Sequence, residues 1–292
     1  MKNRPLLYTL IGVAIVAVSF GAILIRLAKD VPVLSIAAWR LGVSFLLLIP
    51  FSWRKSPLKT MSRRDLLLSV ASGAFLTLHF ILWISSLRYT SVASSVVLVS
   101  TNPIFVALGV RFVFKESLSR TLVAATLLSV AGAALIGWGD FRISGAAFSG
   151  DLLALGGAVM ASGYFLIGRR VRQRVPLSAY ILTTYGTAAI ILLGVALATH
   201  QQLIGFPKLT YLYLVLLAVG PQLIGHSTFN WALKYLSAST VAILILGEPV
   251  ASTLLAYLIL GEGVTLLKMI GAAVILSGIY LSLHEEARGE DG

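Results

Sequence analysis

Apolar runs of about twenty residues, each long enough to cross a hydrocarbon core of roughly 30 Å as a helix, follow one another along the chain with only short polar segments between them. Ten are drawn, at residues 6–27, 33–52, 65–87, 91–113, 119–138, 149–169, 177–198, 210–233, 238–260 and 264–284. The first continues from Leu6 to about Leu27 with no small-residue cleavage pattern at a signal-like distance, so it reads as a span and not as a leader. The pattern predicts an all-α integral membrane protein of ten transmembrane helices.

The pattern repeats. Shifting the numbering by 146 lays Arg88-Tyr89 on Lys234-Tyr235, Ser91 on Ser237, Ser94 on Thr240, Pro103 on Pro249, Glu116 on Glu262 and Gly132 on Gly278, without a gap. A shift of 144 lays Gly12 on Gly156, Ala17 on Ala161, Arg26 on Arg170 and Val31-Pro32 on Val175-Pro176. Two five-helix repeats follow, residues 1–147 and 148–292. Because five is odd, the second enters the membrane from the opposite side. Inverted repeats of this kind are the usual architecture of secondary transporters, with the substrate site around a central cavity near the midplane.

Composition removes the soluble alternatives. At 58% hydrophobic and 12% charged residues, with a mean hydropathy of +0.94, the chain exceeds the roughly 45–50% apolar share of soluble domains. A net charge of +12 would suit nucleic acid, but the basic residues sit between spans, where they report orientation. Lys2, Arg54, Lys55, Lys59, Arg63, Arg64, Arg111, Lys115, Arg120, Arg169, Arg170, Arg172, Arg174, Lys234, Arg4 and Arg288 fall on the side of both termini. Arg26, Lys29, Arg88, Arg142, Lys208 and Lys268 fall on the other. Both termini are therefore expected in the cytoplasm of a multi-pass protein of the inner, or plasma, membrane. The acidic tail from Glu285-Glu286 to Asp291 reads as a solvated end. The chain has no cysteine, which leaves the redox compartment open. Gly137-Trp138-Gly139 lacks the third glycine of a dinucleotide loop, and no zincin, nucleophile-elbow or metal-cysteine pattern occurs, so no cofactor or metal is expected.

Polar residues inside spans are the candidates for chemistry. Of eleven acidic residues only Glu248 sits deep in a span. Burying a charge there costs about 2.5–3.5 kcal/mol on insertion scales, which marks Glu248 as a candidate proton-coupling site or amine counter-ion, against a structural role capping a break at Pro249. Asn102, its counterpart in the first half, also precedes a proline. Gln222, His226 and Asn230 recur every four residues, which on an α-helix confines them to an arc of about 80°. A stripe of that kind must face the bundle interior or a cavity, and Pro221 beside it is expected to loosen the backbone hydrogen bonds. His79 and Trp83 share a face of the third span by i, i+4 geometry. Trp83 also suits the interfacial aromatic belt. Arg40 lies near the start of the second span, where snorkelling to the interface is open to it, and it reads as structural. So few intramembrane cations argue against phosphorylated sugars or nucleotide sugars as cargo. Ala125, Ser129, Ala133 and Gly137 make a close-packing face on the fifth span, which either stiffens a half or forms a dimer contact.

Pro32 followed by Arg40, the run Leu87-Arg88-Tyr89-Thr90-Ser91-Val92-Ala93, Pro103 with Glu116, and Glu248-Pro249 with Gly261-Glu262, Gly271 and Gly278 together resemble the drug/metabolite transporter superfamily, and within it the ten-span EamA-like exporters. The resemblance covers nearly the whole chain. It implies a ten-helix fold, a cavity lined by spans 1, 3, 4, 6, 8 and 9, and export of small metabolites such as amino acids. The first span departs from it, reading Val18-Ser19-Phe20-Gly21 where many relatives carry Trp-Gly or Trp-Ser.

The expected protein is a secondary transporter exporting small amphipathic metabolites, neutral or aromatic amino acids first, by uniport or proton exchange. The substrate pathway is expected at His79, Trp83, Asn102, Gln222, His226, Asn230 and Glu248. The rival is a multidrug exporter of lipophilic cations with Glu248 as counter-ion. The expected partners are a small molecule, the lipid bilayer and, under exchange, protons, with no nucleic acid and with monomer and homodimer both open.

Overall fold

The computed structural model of the protein describes residues 4–53, 61–90, 92–138, 145–260 and 263–289. Lys2, Arg54, Lys55, Lys59, Ser91, Gly139, Arg142, Gly261, Glu262 and Asp291 lie outside the described residues, as do the side chains of Arg4, Val92, Ala93 and Arg288. Every regular element among the described residues is helical. In order these are α1 (Arg4–Leu27), α2 (Val33–Trp53), α3 (Arg63–Ser86), α4 (Val92–Val99), α5 (Asn102–Phe112), α6 (Arg120–Gly137), α7 (Gly145–Arg172) and α8 (Leu177–Ala198). There follow α9 (Lys208–Leu217), a π-helical segment (Ala218–His226), α10 (Ser227–Ala232), α11 (Ala238–Ile245), α12 (Gly247–Leu260) and α13 (Leu266–Gly289).

These elements make ten helices long and apolar enough to cross a membrane, and they coincide with the ten predicted spans to within a few residues. Three are interrupted: α4 with α5, α9 with α10 through the π-helical segment, and α11 with α12. Serine side chains start three of the spans. Ser62, Ser119 and Ser237 each accept a backbone N–H three residues on, at 3.1 Å, which satisfies one of the donors a helix start leaves free. Leu46, Leu67, Leu127, Ile190 and Leu258 remain exposed, as outward-facing residues of a bilayer-spanning bundle should.

The principal contacts join the first five spans to the last five. α6 packs along α13, α2 along α8, α3 against both α7 and α8, and α1 against the π-helical segment and α12. The α6–α13 contact is backbone on backbone. A Cβ on Gly132 would stand 2.6 Å from the Gly271 carbonyl oxygen, one on Gly271 2.6 Å from the Gly132 carbonyl oxygen, and one on Gly278 2.8 Å from the Ala125 carbonyl oxygen. The small-residue face on the fifth span is therefore used within the chain. Ala125 and Ser129 meet α13 of the other half, and Gly137 meets Val97 of α4 within its own half, so the face packs both across the halves and inside one of them.

Arginines tie the ends of the bundle. Arg172, 3% exposed, donates from Nε to the Asn230 carbonyl at 3.0 Å and from Nη1 to the Val175 carbonyl. Arg169 donates to the Leu233 carbonyl at 2.9 Å, and Arg174 pairs with Asp65 at 3.0 Å. At the opposite end Arg88 donates to the carbonyls of Lys29 and Val31. Val31 and Val175 both precede prolines at equivalent places in the two halves. Just inside the first of these ties, Asn230 donates from Nδ2 to the Tyr164 hydroxyl and to the His226 carbonyl, the latter at 2.8 Å.

Gly132→Ala is expected to destabilise the protein by about 1–3 kcal/mol, because backbone cannot yield to the added methyl. Gly194→Ala, where a Cβ meets nothing within 4 Å, should leave Tm unchanged or raise it. Thermal unfolding of the two variants in detergent separates these outcomes. Asn230→Ala and Tyr164→Phe should each cost about 1–2 kcal/mol, and the double variant should cost less than their sum, as a shared hydrogen bond requires.

Candidate functional site

Two prolines open the middle of the bundle. Proline has no N–H to donate and its ring clashes with the carbonyl four residues earlier. The carbonyl four before Pro103 is that of Val99, where α4 ends, and the one four before Pro249 is that of Ile245, where α11 ends. Tight turns bridge the gaps, with Thr101 N–H on the Leu98 carbonyl at 3.1 Å and Leu246 N–H on the Ile243 carbonyl at 3.0 Å. Helix then resumes, with Asn102 and Glu248 in the opening turns of α5 and α12.

A serine from the facing half grips each break. Ser162 of α7 donates to the Asn102 carbonyl at 3.0 Å, and Ser19 of α1 to the Glu248 carbonyl at 3.3 Å. Each also returns to its own helix four residues back, at 2.7 Å. The departure noted at Val18-Ser19 is thus a contact to the Glu248 backbone.

Between the breaks lies a cavity of about 590 Å³ of empty space, its mouth included. Val18, Arg40, His79, Trp83, Val99, Ser100, Asn102, Ala161, Tyr164, Phe165, His226, Phe229, Ile245 and Glu248 line it. All six spans implied by the family resemblance contribute, and the second span adds Arg40. Trp83 is 4% exposed and faces the cavity, so the belt reading does not hold for it. Its ring stacks on His79 at 6.1 Å and 7°, as i, i+4 spacing predicts. His79 Nδ1 lies 2.9 Å from the Gly157 carbonyl. Since a carbonyl only accepts, that bond assigns the proton to Nδ1 and leaves Nε2 as an acceptor. His226 sits 6.5 Å from the His79 ring and 5.5 Å from that of Phe80.

Arg40 is the residue that sequence reasoning undervalued. It has not snorkelled: it is 1% exposed, its Nε donates to Gln222 Oε1 at 2.9 Å, and its Cζ lies 4.1 Å above the Phe80 ring centroid. Nothing in the spacing of the second span distinguishes an inward from an outward arginine. The signal available was Gln222, an uncharged acceptor in a span across the bundle.

The predicted stripe on the eighth span is corrected. His226 lines the cavity, but Gln222 and Asn230 do not; both are fully buried behind its wall, where they hold Arg40 and Tyr164. The face itself holds: the π-helical segment Ala218–His226, which contains Pro221, still keeps residues four apart on one side of the helix, and Asn230 follows in regular α-helix. What differs is depth, because Arg40 and Tyr164, the partners of Gln222 and Asn230, line the cavity in their place.

Comparison with known proteins fits this geometry. The model of the EamA-like transporter family matches residues 4–138 and again 148–284. The chain is 24% identical over 259 residues to the uncharacterized transporter YyaM of Bacillus subtilis (84% of this chain, 82% of that protein). It is 26% identical over 291 residues to an uncharacterized transporter of Archaeoglobus fulgidus (98% and 99%). To a probable amino-acid metabolite efflux pump of Salmonella typhimurium it is 28% identical over 186 residues (61% and 62%). A crystal structure with a TM-score of 0.81 and 21% identity, covering 98% of this chain and 99% of its own, has the same fold. With the family model matched along nearly its whole length, this multi-pass membrane protein belongs to the EamA-like transporter family.

Proposed function

We propose that the protein exports small amphipathic metabolites, neutral or aromatic amino acids first among them, across the inner membrane by alternating access. The observation that carries this reading is a cavity at mid-bundle, walled by aromatic rings, into which one half contributes Arg40 and the other Glu248. Residues 1–147 and 148–292 act as two inverted five-helix repeats with both termini cytoplasmic. In support, a shift of 146 turns the Gly132–Gly271 contact into the Gly278–Ala125 contact, which a pseudo-two-fold axis requires. His79, Trp83, Asn102, His226 and Glu248 contact the cargo, while Gln222 and Asn230 position other side chains. The efflux pump of Salmonella typhimurium, whose name specifies amino-acid metabolites, supports the substrate class.

Alternating access needs each end to open while the other stays shut. The arginine ties of Arg88 to Val31 and of Arg172 to the Asn230 carbonyl, at opposite ends, are candidates for the contacts that fasten them. Proton exchange would run through Glu248, whose side chain lines the cavity and makes no hydrogen bond or ion pair with a described residue. The same aromatic wall beside a carboxylate also fits a lipophilic cation, and this keeps the multidrug reading as the rival.

Flux of labelled neutral and aromatic amino acids from proteoliposomes, with and without an imposed pH gradient, tests the proposal. Gradient-dependent flux that disappears in Glu248→Gln identifies proton exchange, and flux indifferent to the gradient identifies a facilitator in which Glu248 is structural. An absence of amino-acid flux while lipophilic cations are carried replaces the reading with its rival.

A further inference from the structure

We infer that Arg40 is the anion anchor of the cavity and sets its specificity, so that the cargo must carry a carboxylate together with the cationic group that Glu248 attracts. The inference rests on the export reading and narrows it. It begins from the way the guanidinium is held. Gln222 takes Nε, Phe80 lies under one face, and Gly21 leaves room beside Nη1, where even a Cβ would come within 3.9 Å. These contacts fix the orientation of the fork without using its two terminal nitrogens. Nη1 has no hydrogen-bond partner among the described residues, and no described carboxylate lies within 4.0 Å of Arg40. A guanidinium offers donors in a planar fork that matches a carboxylate, and a fork left unmatched in a membrane interior is costly.

Glu248 is the other half of the argument. Both charges line one cavity, yet they do not form an ion pair. Opposite charges that share a cavity without coming within 4.0 Å of each other suit a dipolar ligand whose own charges meet one each. The uncharged groups fall in with this. Asn102, repeat counterpart of Glu248, is 3% exposed and presents Oδ1 without a partner, and His79 offers Nε2 as an acceptor. Trp83 Nε1, a donor, is likewise unmatched. A lipophilic monocation would satisfy Glu248 but leave Arg40 buried, charged and facing a second cation. Gln222 is then a positioning residue that acts through Arg40.

The test is equilibrium binding, by calorimetry on the full-length protein in detergent, of three probes sharing one aromatic ring: L-phenylalanine, phenethylamine, which lacks the carboxylate, and 3-phenylpropionate, which lacks the amine. Flux of each in proteoliposomes is measured alongside. Wild-type protein should bind phenylalanine at least about tenfold more tightly than either single-charge analogue, as loss of a charge-assisted pair implies. Arg40→Gln should abolish the advantage over phenethylamine while leaving phenethylamine bound as tightly as before or more so, since a like charge is removed, and Arg40→Lys should restore part of the advantage. Equal binding of phenylalanine and phenethylamine by the wild-type protein overturns the anchor without any variant having to fold. Equal weakening of both by Arg40→Gln overturns it as well, and so does failure of all three to bind. The two proposals separate cleanly: carboxylate-dependent binding without flux sinks the export reading and leaves the anchor standing, whereas phenethylamine flux at the phenylalanine rate does the reverse.

Discussion

A backbone that loses a hydrogen bond inside hydrocarbon has no water to turn to, and that constraint governs the centre of this protein. Pro103 and Pro249 each remove a donor midway through a span, and α4 and α11 stop where the proline ring forbids them to continue. Such breaks survive only where protein surrounds them. α1 and α7 are the helices that do so, each with a serine on the interrupted segment of the opposite half. The spans gather around two faults in their own secondary structure, and the space left between the faults is the cavity.

Charge in that space follows the same logic. A guanidinium buried in the second span persists because an amide, an aromatic face and a glycine surround it, each from another helix. None of the three carries charge, so the groups that hold Arg40 do not neutralise it. The amide comes from a segment that is itself irregular, the π-helical turns around Pro221. Among the described residues, the three interrupted spans all either line the cavity or support its charged side chains.

What was legible in the sequence was what the bilayer dictates directly. Span length is set by hydrocarbon thickness, so ten apolar runs appear where ten helices stand. The i, i+4 pairing of His79 with Trp83 needs only regular helix, and it holds. Less legible were features that depend on a partner. Whether Arg40 snorkels or turns inward is decided by Gln222, 182 residues away. The small-residue stripe on the fifth span announced close packing but not its partner, since Ala125, Ser129 and Ala133 would suit any smooth helix. The stripe on the eighth span points inward as its spacing requires, but two of its three members hold Arg40 and Tyr164, and it is those partners that line the cavity.

Neither α6 nor α13 contributes a residue to the cavity, yet they meet more closely than any interlocking of side chains allows, with Gly132 and Gly271 carbonyl to backbone. Beside the touching carbonyls, Ile275 lies over Gly132 and Ile136 over Gly271, and the two isoleucines belong to one buried apolar cluster. Close backbone approach and interlocked side chains together key the two helices in register, so the smallest side chains in the chain serve as a clamp between the halves, outside the cavity.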